Sequence, residues 1–578
     1  MPPPRLRPPT QLVHAADRYT VGSAAWSVTI PVTGHTLWVG AFSLDDQTVG
    51  KSVNLTVDGR KVVVADESGT LLDALRGPLG CLSVKDGCSP QGQCGCCTVL
   101  IDGQPRVSCV TPLRRVAGRS VITLDGLPAG EANRWAKAFC ATGGSQCGFC
   151  TPGIVLRFAG LEASAPAGTT PDRDQAARAL QAHLCRCTGW LTVLDAWEVA
   201  VGIRPAPSGL VDRNASEQRA SLEGRSPQIV GPEVALGRGG FAADTAPVGA
   251  LIAVPGDGSI EDPDTWVVAD TLASARQAAG KVQGRRTTAD VVPPLRAPAA
   301  VSGEAGPAEW DAVLRTVWVE PAPLETDAVW CVPGGETFGP LANGGAFGAK
   351  VDSPLPGIAR ALADMHDKPV LVTPSREETV QFGPKRPPVA GGALADGTGV
   401  LRVVRTPGIV EAVASVAPGL TVLEVDVDGP PTAATARAAG WAEAIVLLTG
   451  AGAMAPGQPV RSPDGAEATA TVEDEGIWVT VRCGKPLDEV VLRSYCIGAA
   501  HMAWSWITSE GLAVDNSGVV HDLTVRSFGI VRAKDTPLIN VDVLADSGSP
   551  VNGSDAVFAA VAAATWCYRG CPNELPTG

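Results

Sequence analysis

Eight of the sixteen cysteines in this 578-residue chain fall into two tight groups, Cys88/Cys94/Cys97/Cys109 and Cys147/Cys150/Cys185/Cys187. Each group has the count and spacing of thiolates that ligate an iron-sulfur cluster. The first reads GCSPQGQCGCCTVLIDGQPRVSC, three cysteines on a glycine-rich loop and a fourth one hairpin later, close to the plant-type 2Fe-2S arrangement. Gly87, Gly92 and Gly95 let such a loop wrap an anionic cluster with its backbone N–H groups turned inward. The second group is a CxxC in QCGFCTPG and a CxC in LCRCTGW. By itself that pattern also fits a tetrahedral zinc site; the ferredoxin-like loop upstream weighs against zinc. Two clusters in one chain mean electron transport.

These thiols need elements to hold them. SVNLTVDGRKVVVAD reads as two alternating strands joined at Asp58-Gly59, and a second hairpin around Asp102-Gly103 delivers Cys109. TLLDALRG, between them, reads as a helix. From about 128 to 203 the pattern turns helical, in EANRWAKAFCATG, PGIVLRFAGLEA, PDRDQAARALQAHL and WLTVLDAWEVAVG. Pro152 suits a first helical turn, where no N–H is needed, so Cys147 and Cys150 are expected at a helix N-terminus whose dipole favours an anionic cluster. A polar stretch, 204–232, reads as a linker. Residues 1–50 form an N-terminal extension with no assigned role.

Composition bounds the function. A hydrophobic content of 45% fits a globular protein, and a formal net charge of -14 argues against nucleic-acid binding. The most apolar late stretch, AVFAAVAAATW, is too short to span a bilayer and reads as a buried helix. Six histidines disfavour a histidine-based metal site or general base. Clustered unpaired thiols imply a reducing compartment, so a cytoplasmic location is expected, and Cys567 and Cys571, four apart, are expected to stay unpaired. Cys81, Cys96 and Cys140 are expected as packing residues.

TLLDALRG, KDGC, CGCCTV, QCGFCTPG and LCRCTGW, over about residues 52 to 203, resemble the small iron-sulfur subunit of the molybdenum hydroxylases, the xanthine dehydrogenase and aldehyde oxidase family. Cys88 and Cys94 enclose five residues, one more than is common there. Farther on, GRGGFAADTAPVGALIAV, PAPLETDAVW, NGGAFGAK and KPVLVTPSREETVQFGPKRPP resemble fragments of the family's molybdenum chain, in a shortened form. The resemblance implies an α+β multidomain fold: a β-grasp ferredoxin-like 2Fe-2S domain (51–127), a four-helix 2Fe-2S domain (128–203), the linker, and a shortened α/β molybdopterin-binding-type domain (233–578).

It also implies roles. Gln146 would contact the pterin of a molybdopterin cofactor, and Gly345, Phe347 and Gly348 would present backbone N–H groups to a cofactor oxygen. The family's glutamate base has no equal here. Its place reads Asn552-Gly553-Ser554-Asp555, where Asp555 is expected to cap the following helix, and Val351 stands where the family often has a substrate-binding glutamate. No catalytic residue is therefore assigned. The expected function is that of an electron-transfer subunit of a molybdenum hydroxylase complex, an oxidoreductase component with two 2Fe-2S clusters, a molybdenum-cofactor large subunit as partner, and a flavin (FAD) subunit or external carrier as acceptor. The alternatives are a self-contained molybdopterin oxidoreductase and an iron-sulfur assembly or sensor protein.

Overall fold

Both Asp-Gly pairs turn the chain through positive φ at two successive residues, Asp58 (49°) with Gly59 (78°) and Asp102 (48°) with Gly103 (78°), which matches the twist of a two-residue hairpin. They join β1 (Ser52–Val57) to β2 (Arg60–Ala65) and β3 (Thr98–Ile101) to β4 (Gln104–Val107). With β5 (Ser120–Ile122), parallel to β1 and antiparallel to β3, the sheet order is β2-β1-β5-β3-β4. Helix α1 (Leu71–Arg76) starts at a capping box: Thr70 accepts from the Asp73 N–H and the Asp73 carboxylate accepts from that of Thr70. This computed structural model describes residues 52–65, 69–207, 212–280, 289–299, 301–303, 306–339, 345–544 and 546–578; the expected N-terminal extension lies outside them.

The helical stretch resolves into α2 (Ala129–Thr142), α3 (Thr151–Ala163), α4 (Arg173–Ala179) and α5 (Leu191–Ala200). Their core is aromatic: Phe158 and Trp197 lie 5.9 Å from Trp135 between ring centroids and 5.0 Å from each other. The 204–232 stretch is not merely a linker. It carries α6 (Arg213–Gly224), whose Arg219 and Glu223 are fully buried and paired at 2.9 Å. Arg219 also donates to the Lys485, Pro486 and Val551 carbonyls, so a polar helix is held against the distant C-terminal part by hydrogen bonds rather than by an apolar face.

Beyond α6 come three mixed sheets, of which one has Leu251–Pro255 parallel to Val370–Val372, one is built on Val389–Ala393 and Gly399–Val404, and one on Glu467–Glu473 and Gly476–Arg482. Three helices fill the core beside them: α7 (Trp441–Gly450), α8 (Glu489–Thr508) and α9 (Ser554–Tyr568). The last contains AVFAAVAAATW, buried as expected, packed against α7 and α8. The chain is thus a multidomain α+β protein whose parts pack as one unit from Lys51 to Gly578.

Candidate functional site

The eight cysteines are all at or below 5% exposure, and the fold draws each group of four together. In the first, the thiols contact in the order Cys94, Cys88, Cys109, Cys97; in the second, Cys150, Cys185, Cys187, Cys147, with the last two sulfurs 3.5 Å apart. Hydrogen bonds from Cys109 and Cys94 hold the Cys88 thiol well below its ordinary value, and those from Cys150 and Cys187 do the same for Cys185. Among the described residues no three His, Cys, Asp or Glu side chains are arranged to hold a single metal ion. Four thiols per group is the ligand count of a cluster whose two irons each take two cysteines.

The first loop is built on close approach. Gly95 has φ +70°, and a Cβ there would meet the His183 ring at 2.3 Å. The C-terminal part clamps the same loop: Arg376, 1% exposed, donates to the Gly87 carbonyl at 2.7 Å, and Gln91 donates to Glu377 and to the Leu523 carbonyl, both at 2.9 Å. Cys96, expected as a packing residue, is buried beside Cys94, a fifth thiol in the first group.

Cys150 is the N-cap of α3, so the second group lies at a helix N-terminus as its Thr-Pro sequence predicts. The segments that carry the two groups are hydrogen-bonded: the Leu184 N–H, next to Cys185, donates to the Cys94 carbonyl at 2.9 Å, and Thr98, next to Cys97, bonds to His183 at 3.2 Å. Between Cys185 and Cys187, Arg186 makes a bidentate pair with Glu510 at 2.6 and 2.7 Å, the side chains 3% and 1% exposed. An arginine between two ligand-type cysteines is visible in the sequence; its partner, 324 residues away, is not.

The residues expected around a cofactor do converge here. The Gln146 amide donates to the Cys187 carbonyl at 3.1 Å and to the Ser494 hydroxyl of α8 at 2.8 Å. A Cβ on Gly345 would lie 3.1 Å from the Cys187 sulfur, and Phe347 packs edge-on to Tyr495 with the Arg437 guanidinium 3.8 Å above its ring. Gly348, at φ +95°, lies against the Thr435 carbonyl. Helix α8 presses closest of all: a Cβ on Gly498 would stand 1.7 Å from the Cys187 carbonyl oxygen.

Residues 123–198 match the family model described as a [2Fe-2S] binding domain. The chain is 35% identical to the nicotinate dehydrogenase small FeS subunit of Eubacterium barkeri over 152 residues, which is 26% of this chain and 94% of that protein. It is 37% identical to the nicotine 6-hydroxylase small subunit of Paenarthrobacter nicotinovorans over 145 residues, 25% of this chain and 86% of that one. The chain belongs to the molybdenum hydroxylase family. The rest of its length shares a fold with the family's larger proteins: aldehyde oxidoreductase from Desulfovibrio gigas superposes with a TM-score of 0.66 at 15% identity, covering 91% of this chain and 99% of that one. As a family member it is an oxidoreductase component.

Toward the pterin that the resemblance implies, Gln146 keeps its Oε1 acceptor, buried and without a hydrogen-bond partner among the described residues. The amide is 6% exposed and its donors are spent on Cys187 and Ser494 of the same chain. Of the residues expected as cofactor contacts, Gln146 and Gly345 lie against Cys187, and Phe347 and Gly348 follow Gly345 on the same turn.

Asp555 departs from expectation. The N–H groups at the start of α9 are taken by Glu223 of α6, at 3.1 Å from Gly553 and 2.9 Å from Ser554, and by Asn552, which accepts from the Asp555 N–H at 3.0 Å. The Asp555 carboxylate, 2% exposed, instead pairs with Arg225 at 3.0 Å and with buried Arg437 at 3.3 Å. A carboxylate locked between two guanidiniums is a counter-ion, neither a helix cap nor a base.

Proposed function

We propose that this chain is the electron-transfer component of a molybdenum hydroxylase complex, carrying two 2Fe-2S clusters held by Cys88/Cys94/Cys97/Cys109 and by Cys147/Cys150/Cys185/Cys187. The single observation that carries this reading is the Leu184 N–H···O=C Cys94 bond, which links a ligand of one group to a ligand of the other across two residues. A buried backbone hydrogen bond between thiolate-bearing segments is a short, rigid path for an electron, and structural zinc sites have no need of one. The first group would lie in a ferredoxin-like β-grasp domain and the second in a four-helix domain. The protein holds position and potential; the redox chemistry belongs to the clusters.

The molybdenum site lies on a partner large subunit, and the C-terminal part of this chain is a scaffold packed over the second thiol group. The acceptor is a flavin subunit or an external carrier. Metal analysis of the purified protein should find about four iron atoms per chain, and the dithionite-reduced protein should give two distinct electron paramagnetic resonance signals, because the two groups differ in burial and hydrogen bonding. Stoichiometric zinc in place of iron would refute the reading.

A further inference from the structure

The surface beside the first thiol group carries arginines that no carboxylate among the described residues pairs with. Arg157 donates to the Ala179 carbonyl at 2.8 Å and Arg532 to the Gln181 carbonyl, so the two grip one short turn, Leu180–Ala182, that leads into His183 and Cys185. Arg106 lies near enough to Arg157, and Arg526 to Arg532, for each to disfavour its neighbour's charge. Among the described residues none of the four forms an ion pair with a carboxylate. Asp535 acts on Arg532, and Lys534 engages the same carboxylate at 3.7 Å. This row of arginines belongs to a chain of formal net charge -14, which otherwise repels acidic partners.

The arginines also lie near the first thiol group in the chain. The Arg526 N–H donates at 2.9 Å to the side chain of Gln93, which precedes Cys94, and Arg106 stands on β4, which ends at Val107, two residues before Cys109. Val110, next to Cys109, is 46% exposed and touches Gly92 of the same loop. An apolar contact next to a ligand, flanked by uncompensated guanidiniums, is what a protein needs to seat and orient a redox partner.

We infer that Arg106, Arg157, Arg526 and Arg532, with Val110, form the docking surface for a one-electron redox protein with an acidic face, which exchanges electrons with the first group. This rests on the reading of that group as a cluster. In the transfer one electron passes between the protein's cluster and the partner's centre and no bond is made or broken.

The test uses the holoprotein and a pre-reduced plant-type ferredoxin, an acidic one-electron protein, mixed in stopped flow while cluster absorbance is followed. The ferredoxin should reduce the wild type with a rate that falls steeply as salt rises, and Arg106→Glu/Arg526→Glu should be slower by about tenfold or more at low salt. Neither side chain holds the fold: Arg526 is exposed, and Arg106 bonds only to its neighbouring Pro105 carbonyl. Both electron paramagnetic resonance signals and the rate of reduction by dithionite should be unchanged in the variant. Equal rates for variant and wild type, no reaction with ferredoxin, or faster exchange with basic cytochrome c would overturn the surface while leaving the clusters standing. Binding of the wild type to vesicles of anionic lipid, without a reaction with ferredoxin, would assign the arginines to a membrane and overturn it as well. Missing cluster signals in the wild type would defeat the underlying reading first.

Discussion

Replacing Glu510 with glutamine should be among the most damaging single-atom-scale changes available in this protein. The Arg186–Glu510 pair is bidentate, at 2.6 and 2.7 Å, with side-chain exposures of 3% and 1%. Removing the carboxylate's charge leaves a guanidinium in the interior with no counter-ion, a loss of ~3–5 kcal/mol. That is a large share of the ~5–15 kcal/mol that holds a typical domain. Because Arg186 stands between Cys185 and Cys187, the loss falls on the second cluster's own loop, and the unpaired cation should move that cluster's potential in the positive direction.

The assay is urea-induced bleaching of cluster absorbance, followed by a redox titration read by electron paramagnetic resonance. The comparison is Asp426→Asn, which breaks a pair of the same 2.6 Å length whose side chains are 55% and 80% exposed, and which should cause no comparable loss. Arg186→Met/Glu510→Leu, which removes both charges, should recover most of the stability lost by the single change. If Glu510→Gln bleached at the same urea concentration as Asp426→Asn, with the second signal's potential unmoved, the reasoning that burial sets the worth of this pair would be wrong.

Cys147→Ser should abolish one resonance signal and leave the other; loss of both from soluble protein would show that the two groups cannot assemble independently. Asp555→Asn should destabilise the protein by ~3 kcal/mol or more, because Arg437 loses a buried counter-charge, whereas an unchanged denaturation midpoint would restore the simple helix-cap reading. Glu325, buried beside Lys350, is pushed by desolvation from 4.5 up to about 7. The folded state thus holds this proton more tightly than the unfolded state, so its contribution is present below pH 4.5 and is lost as pH rises to about 7. The difference in stability between wild type and Glu325→Gln should therefore drift in the variant's favour across that window and be flat above it; a difference independent of pH would contradict it.

What could be read from the sequence was local. Asp58-Gly59 and Asp102-Gly103 announce their hairpins because two positive φ angles in succession leave few other residues in place. Pro152 marks the start of α3, and the cysteine spacings assemble as their counts suggest, because each group lies within about forty residues of chain. The misreadings all concern partners far along the chain. Residues 204–232 look like a linker because α6 is polar; its partners are carbonyls at 485, 486 and 551. Asp555 looks like a cap because the residues that cap α9, Glu223, and that pair with Asp555, Arg225 and Arg437, lie between 118 and 332 positions upstream. Gln146 and Gly345, 199 positions apart, both lie against Cys187, a juxtaposition that motif spacing alone does not give.

The pressure of Gly498 on the Cys187 carbonyl has a consequence for how the protein is made. Helix α8 covers thiols that were synthesised about 300 residues earlier, and no small side chain other than hydrogen fits between them. Once the C-terminal part has folded, the sulfurs are out of reach of any carrier delivering iron and sulfide. At ~5–20 residues per second, a ribosome takes roughly 15–60 s to cover that length. During that interval the first 200 residues are exposed and already long enough to fold. On the proposed reading, order of synthesis would set order of maturation, with the clusters inserted before α8 closes over the second thiol group.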